Sequence, residues 1–533
     1  MTARLRPFIG LALVAASVVL VLTGAYRPVQ LPALVGTAVA FGVAALTALI
    51  AGLAFIRPWQ GLLLFCAAMP VVNVARAQAW IGSVQILPAT VVIAALALGV
   101  LLQRSATTDG GEWRPPTARM LWVILGAAVV LAVGASLADT ASETALNITL
   151  HGVLEPLAVF ALVVALRPRA DRALQALVAI AVGVTLATII NFAWLILLIG
   201  PRGLYEQRML LARLTYFNVG IYADMLVVAI PAAFAALVLR FEFRRPRVLL
   251  GIGTIAIGLM VVALFFTYTK SAWLSAALVA ALLIVLLVDG WRRRIPLLAV
   301  VMVLLALVVP YPLPFLRGVA PDLAAGYQGF LVALQGEGRV ESWDPDTYQG
   351  SGSISIRLEA VGAAAELTAR DPLLGVGPGG FQEAFAEIRP DASVPDLQSA
   401  HNLLPNLAAE YGLPFALLVA GGLLWAIRAG LLLHQSQETV PRVVGVALGV
   451  ALIGFLAMAT MFGVDLYRTY RTMNLDVVIV AVLAALSCSI TRIGARQTSA
   501  GRAGSRTDGR DTFDQPVHLG PADQDELGGA RAR

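Results

Sequence analysis

Apolar runs of about 20 residues, the length a helix needs to cross a bilayer, recur from one end of this chain almost to the other. The strong runs are Phe8–Ala25, Leu34–Ile56, Met120–Ala138, Ala173–Ile199, Val219–Leu239, Val248–Phe266, Ser271–Val288, Leu403–Ile427 and Val443–Val464. Shorter ones are Trp59–Ala75, Ile86–Leu102, Ile148–Leu166, Ile295–Val309 and Val477–Ile490. The expected fold is an all-α polytopic membrane protein of about 12–14 transmembrane helices, with one large extracytoplasmic loop. Composition agrees: 13% of residues are charged and 59% apolar, against about 25% charged in soluble domains. A soluble enzyme, a disordered chain and a nucleic-acid binder are thereby excluded. Cys66 and Cys488 both sit inside apolar runs, so neither a disulfide framework nor a zinc site is expected.

The basic residues orient the bundle. Lys270 is the chain's only lysine, and the rest of its 38 basic residues are arginines. With the N-terminus inside, roughly 25 of them fall on the cytoplasmic side, including Arg244, Arg245, Arg247 and Arg292 to Arg294. Both termini are therefore expected in the cytoplasm. The run Phe8–Ala25 follows Arg4 and Arg6 but lacks a small-x-small cleavage site; it reads as a retained first helix.

Four regions follow. Residues 1–310 form an N-terminal bundle of spans, 311–400 a polar extracytoplasmic loop or cap, 401–490 the C-terminal spans, and 491–533 a cytoplasmic tail. The loop is rich in charges, glycines and prolines, and a loop this long is more often functional than idle. The tail, rich in Gly, Arg, Asp and Ser, cannot bury enough surface to fold alone. Gly375 to Gly380 resembles a dinucleotide-binding fingerprint only superficially, because its proline favours a turn and no strand–helix context surrounds it.

The densest chemistry lies between Arg357 and Gly412. An alanine-rich helix led by Arg357 is predicted to end at Asp371–Pro372. A glycine-rich turn follows, and His401–Asn402 then opens a span carrying Glu410 and Gly412. A histidine at the water–membrane boundary can exchange protons near neutral pH; the competing reading is that it simply caps the helix. This arrangement resembles the O-antigen ligase/polymerase superfamily of bacterial membrane glycan transferases. The family's loop carries an arginine-led helix, a D-P-x-x-G-x-G turn with a following phenylalanine, then an H-N pair and E-x-G. These match Arg357, Asp371-Pro372, Gly375, Gly377, Phe381, His401-Asn402, Glu410 and Gly412. Arg213-Leu-Thr-Tyr-Phe-Asn218 is similar to the family's arginine-led start of a core helix, with Tyr216 where the family has glycine. Thr269-Lys270-Ser271-Ala272-Trp273 is similar to a family hairpin that usually carries arginine at the lysine position.

The resemblance implies an enzyme: a metal-independent, inverting glycosyltransferase without cofactor. It would move a glycan from a polyprenyl-pyrophosphate-linked donor to a glycan, lipid or protein acceptor at the outer face of the cytoplasmic (inner) membrane. It implies that Arg213 and Lys270 hold the pyrophosphate, that Arg357 and Asn402 contribute to substrate binding, and that His401 is the catalytic residue. Lysine keeps the charge at position 270 but loses the planar, bidentate fork of arginine.

The residues themselves point the same way. Arg208, Arg213, Lys270, Arg468 and Arg471 fall in short outer loops, against the positive-inside tendency. Cations there suit a pyrophosphate and would stabilise charge on a departing one; otherwise they snorkel to head groups or pair with Glu206 and Asp465. No carboxylates lie at metal-ligand spacing. Within the spans, His151 and Glu155 stand one turn apart and read as a structural pair, while Asp224 is left without a role. The alternative is a multi-span transporter or lipid-linked oligosaccharide flippase. It would place paired charges at mid-membrane in two symmetric halves, whereas here the polar residues gather at one face and the large loop occurs once.

Overall fold

The computed structural model describes residues 33–72, 79–81, 83–106, 116–138, 143–199, 215, 219–240, 246–267, 269–308, 352–390, 397, 399–462 and 477–490. The fold is that of an all-α polytopic membrane protein. Seven helices are long and apolar enough to cross a membrane, and four shorter apolar helices accompany them among the described residues. Each run read from the sequence falls on a helix except Phe8–Ala25, which lies outside the described residues, as does the tail.

The helices are α1 (Ala33–Ile56), α2 (Pro58–Val72), α3 (Pro88–Ala106), α4 (Pro116–Ala138), α5 (Glu143–Thr149), α6 (Glu155–Leu166), α7 (Ala170–Ile199) and α8 (Val219–Val238). They continue with α9 (Pro246–Phe266), α10 (Lys270–Leu287), α11 (Trp291–Val308), α12 (Gly352–Arg370), α13 (Phe381–Ile388), α14 (Leu403–Tyr411), α15 (Leu413–Leu432), α16 (Thr439–Phe462) and α17 (Val477–Ile490). One short antiparallel ribbon, β1 (Ala79–Ile81) with β2 (Val84–Ile86), precedes α3 and pairs Trp80 with Gln85. Buried Asn147 of α5 clips it, accepting from the Gln85 N–H at 2.7 Å and donating to the Ser83 carbonyl at 2.9 Å.

Between α5 and α6 the chain widens into a π-helical turn, Leu150–Leu154. This turn carries His151, which is fully buried; its Nδ1 stands 3.1 Å from Oε1 of Glu155. Thr90 of α3 donates its hydroxyl to the same carboxylate oxygen. A carboxylate in a membrane interior is costly and takes partners, and the pair read from the sequence has them.

Successive spans are tied as antiparallel hairpins. Thr188 and Asn191 of α7 meet Tyr222 and Thr215, with Tyr222 donating to Thr188 at 2.8 Å and Thr215 donating to Asn191 at 2.9 Å. At the α9–α10 corner, Trp273 donates its indole N–H to the Leu264 carbonyl at 2.9 Å and stacks on Phe265. The centre of the bundle is α16, which packs on α8, α10 and α15. Its span is 78% buried, whereas that of α9 is 24% buried and faces outward.

Candidate functional site

The site is assembled on α12. Its residues Ala360, Ala363, Ala364 and Leu367 repeat at helical spacing and are buried with Phe381 and Phe385 of α13 and with Leu397, Ala400 and Ala409. This small core is separate from that of the main bundle and docks α12 and α13 on α14. The helix begins at Gly352, five residues before the arginine taken as its leader. Arg357 is half-buried on the face that carries Ala360 and Ala364. Glu366 braces the pair of helices, 2.9 Å from both Arg370 and Arg389. Those guanidiniums, Arg370 first, hold its carboxyl below the ordinary carboxylate range.

Proline disfavours helix at the residue before it, and α12 ends at the Asp371–Pro372 step. The turn that follows is welded backbone to backbone onto a broken span. The run Leu403–Ile427, continuous by hydropathy, divides at Gly412 into α14 and α15. The last carbonyls of a helix lack partners within it. Here the Ala409 carbonyl accepts from the Val376 N–H at 2.8 Å, and the Glu410 carbonyl from the Gly377 N–H at 3.1 Å. In return the Leu413 N–H, opening α15, donates to the Pro372 carbonyl at 2.8 Å. Two glycines make the approach possible. Gly412 has φ +86°, and a Cβ there would lie 2.1 Å from the Leu373 carbonyl oxygen; Gly375 has φ +70°, and its Cβ would lie 2.4 Å from the Ala409 oxygen. The D-P-x-x-G-x-G and E-x-G elements of the sequence are thus the two halves of one joint.

His401 and Asn402 sit at the other end of α14, both half-buried. His401 has φ +49°, a left-handed conformation uncommon for non-glycine residues, although histidine, asparagine and aspartate adopt it more often than most. Its N–H lies 3.4 Å from the buried Ser399 hydroxyl. The preceding Ala400 N–H donates to the Asn406 side-chain oxygen at 3.0 Å, so a buried amide one turn into α14 braces the strained step. Asn402 occupies the N-cap position but makes no side-chain cap bond; its amide donates instead to the Thr460 carbonyl of α16 at 2.6 Å. Ser399, Asn406 and Thr460 were not singled out in the sequence. The bond to Thr460 spans 58 residues and has no local signature.

α16 connects this step to the helices that carry the other expected groups. Gly454, less than two turns before Thr460, lies against Val227 of α8 and Val279 of α10. Lys270 is the first residue of α10, at the corner held by Trp273. Arg213, together with Arg208, Arg468 and Arg471, lies outside the described residues. Two residues after Arg213, Thr215 is buried and bonded to Asn191. Among the described residues, no group of three His, Cys, Asp or Glu side chains stands close enough to hold a metal ion.

Comparison with known proteins bears on one part of the chain. Residues 255–420 match the family model described as O-antigen ligase. The matched segment holds Lys270, Arg357, the Asp371–Gly380 turn, His401–Asn402 and Gly412, and stops short of the Arg213 segment. No curated protein matches the chain. Its helices make this a multi-pass membrane protein, and its residues 255–420 are similar to the O-antigen ligase family.

Proposed function

We propose that the protein transfers a glycan from a polyprenyl-pyrophosphate donor to an acceptor hydroxyl, at the extracytoplasmic face of the cytoplasmic membrane. The observation that carries this reading is the His401–Asn402 step. An imidazole is held half-exposed at the start of a broken span, on a backbone braced by Asn406 and tied through Asn402 to α16. The cap, residues 311–400, lies outside the membrane in this reading, between the spans of 1–310 and those of 401–490; the tail, 491–533, is cytoplasmic.

The reaction is a single displacement. The acceptor oxygen attacks the anomeric carbon from the face opposite the lipid, the carbon–oxygen bond to the pyrophosphate breaks, and the pyrophosphate leaves with the electron pair. The configuration inverts. His401 takes the proton that the acceptor hydroxyl loses, while Asn402 and Arg357 hold the sugars near it. Arg213 and Lys270 hold the pyrophosphate, and their charge offsets the charge that develops as it leaves. No metal is needed for that leaving group in this scheme.

The test is transfer by the purified full-length protein from a polyprenyl-pyrophosphate-linked glycan. A positioned general base contributes typically about 10²–10⁴-fold, so His401→Ala should slow transfer by that factor while donor binding persists. His401→Gln keeps hydrogen bonding without basicity, and a near-normal rate in it would favour orientation of the acceptor over proton transfer. A folded His401→Ala protein that transfers at the wild-type rate would refute the assignment.

A further inference from the structure

The turn that joins α12 to the α14–α15 break lies among the outward-facing residues of two spans. Pro372–Leu374 belongs to the polar stretch expected outside the membrane, yet its partner opens a span. The Pro372 carbonyl accepts from the N–H of Leu413, the first residue of α15, which is one of the seven long apolar helices. Leu413 is exposed, and Leu417, one turn further on the same face, is 62% exposed. Leu373, whose carbonyl meets Gly412 beside them, is 69% exposed. The turn is therefore level with the first turn of a span and opens outward as that turn does.

α4 fixes the same level from the other side. Val130, Gly134 and Leu137 recur at i, i+4 and i+7 and share one face of that helix; Val130 is 70% and Leu137 76% exposed. A Cβ on Gly134 would lie 3.7 Å from Cδ2 of Leu374. Leu374 thus fills the gap that the glycine leaves in an outward-facing apolar stripe. α4 and α15 pack against each other, so Leu373 and Leu374 join their two outward faces into one. A contiguous exposed apolar surface marks an interaction site. Charge stops at its edge: Arg370 and Asp371 are exposed, and the next charged residue along the chain is Glu383.

We propose that Pro372–Leu374 is inserted in the bilayer leaflet on the side of the site, with acyl chains over Leu373 and Leu374 and lipid head groups at Arg370 and Asp371. Continuity assigns lipid as the occupant. The flanking faces of α4 and α15 belong to apolar helices, and lipid covers such faces in any membrane. A partner seated on the two leucines would have to displace the acyl chains over Val130, Leu137 and Leu417. Apolar side chains buried about 5–10 Å into the head-group and acyl boundary hold interfacial segments in place, and long basic side chains there keep their charge at the surface. α12, which carries Arg357 in its first half, is then held at its far end by the membrane as well as by the bundle.

The experiment uses the full-length protein in phosphatidylglycerol nanodiscs. Cys66 and Cys488 are buried, so a nitroxide thiol reagent goes to the cysteine of Leu373→Cys. Its spin relaxation is read with oxygen, which concentrates in hydrocarbon, and with a neutral nickel chelate, which stays in water. Nickel collisions should be lost to the level of Leu417→Cys, far below those of Gln437→Cys in the exposed α15–α16 corner, while oxygen collisions stay high. Nickel collisions at the Gln437 level would put the turn in water and overturn the proposal. Low collisions with both reagents would give the face to protein, another part of this chain or a second copy, and overturn it as well. The wild-type chain supplies a second reading that needs no substitution. Phosphatidylglycerol with a diazirine near the glycerol end of an acyl chain should label Asp371–Gly377, and a water-soluble diazirine should leave Leu373 and Leu374 unlabelled; the reverse pattern would remove the insertion. Neither reading involves glycan transfer, so the outcome is separate from that of the His401 assay.

Discussion

Asn402 and His401 divide the work of one step in the chain between side chain and backbone. The Asn402 amide is the donor to Thr460, and an unpaired buried carbonyl costs about 1–3 kcal/mol. Asn402→Asp keeps the shape but turns a carboxylate oxygen toward the carbonyl, so it should destabilise the protein by at least that amount. Asn402→Ser, which keeps a donor on a shorter arm, should cost less; thermal unfolding in detergent ranks the two. His401 offers the reverse case. Its φ of +49° costs an ordinary residue about 1–2 kcal/mol, and glycine bears no such penalty. His401→Gly should therefore unfold no earlier than wild type while transfer falls as in His401→Ala. A His401→Gly protein that loses stability would show that imidazole contacts, not backbone strain, dominate at this position. The pair was legible in the sequence as two polar residues opening an apolar run. Neither the positive φ nor the bond to Thr460 was: the first depends on how Asn406 folds back on the step, and the second joins residues 58 apart.

At the scale of elements, the joint between the Asp371–Gly380 turn and the α14–α15 break fixes α12 and α13 against α14. A methyl at position 412 would meet the Leu373 oxygen at 2.1 Å on a backbone of φ +86°, and strained backbone alone costs about 1–3 kcal/mol. Gly412→Ala should lower the unfolding temperature and expose the 371–381 turn to protease. Gly258→Ala, on the outward α9 with nothing within 4 Å, should raise stability by up to about 1 kcal/mol. Equal effects of the two would dissolve the joint as an explanation of both motifs. Glu366, between α12 and the end of α13, adds a pH dependence to the same unit. Its carboxyl is held low by Arg370 and Arg389, so the brace is present above the unfolded carboxyl value, near about 4.3, and is lost as pH falls through the lower folded value. Opening of Phe381–Ile388, read as hydrogen exchange corrected for its intrinsic pH dependence, should rise on acidification through that window, and Glu366→Gln should flatten the rise. Hydropathy found the helices but not the break at Gly412 or the π-helical turn at His151. Averaging over some twenty apolar residues hides one glycine and one extra residue in a turn.

Across the whole molecule, α16 is the element through which the candidate site is coordinated. It is the most enclosed of the seven long spans, it receives Asn402 at Thr460, and it lies against α8 and α10 at Gly454. The hairpins place the end of α7, the start of α8 and the α9–α10 corner at one end of the bundle. Crossings that alternate through α11 and α15 bring the start of α14 and the end of α16 to that same end. Lys270 at the start of α10 and His401–Asn402 at the start of α14 then lie toward one end of the bundle, and the arginines give the expectation for which face that is. Arg247 stands in the first turn of α9 and Arg292 to Arg294 in the first turn of α11, at the opposite end. Clusters of that kind are retained in the cytoplasm. A reporter fused after Val340 should therefore signal an extracytoplasmic position and one fused at Gly504 a cytoplasmic one. Lipid-linked glycan presented outside could then reach the site without crossing the membrane again. A cytoplasmic signal from the Val340 fusion would invert the bundle and put His401 on the wrong side of the membrane for the proposed transfer.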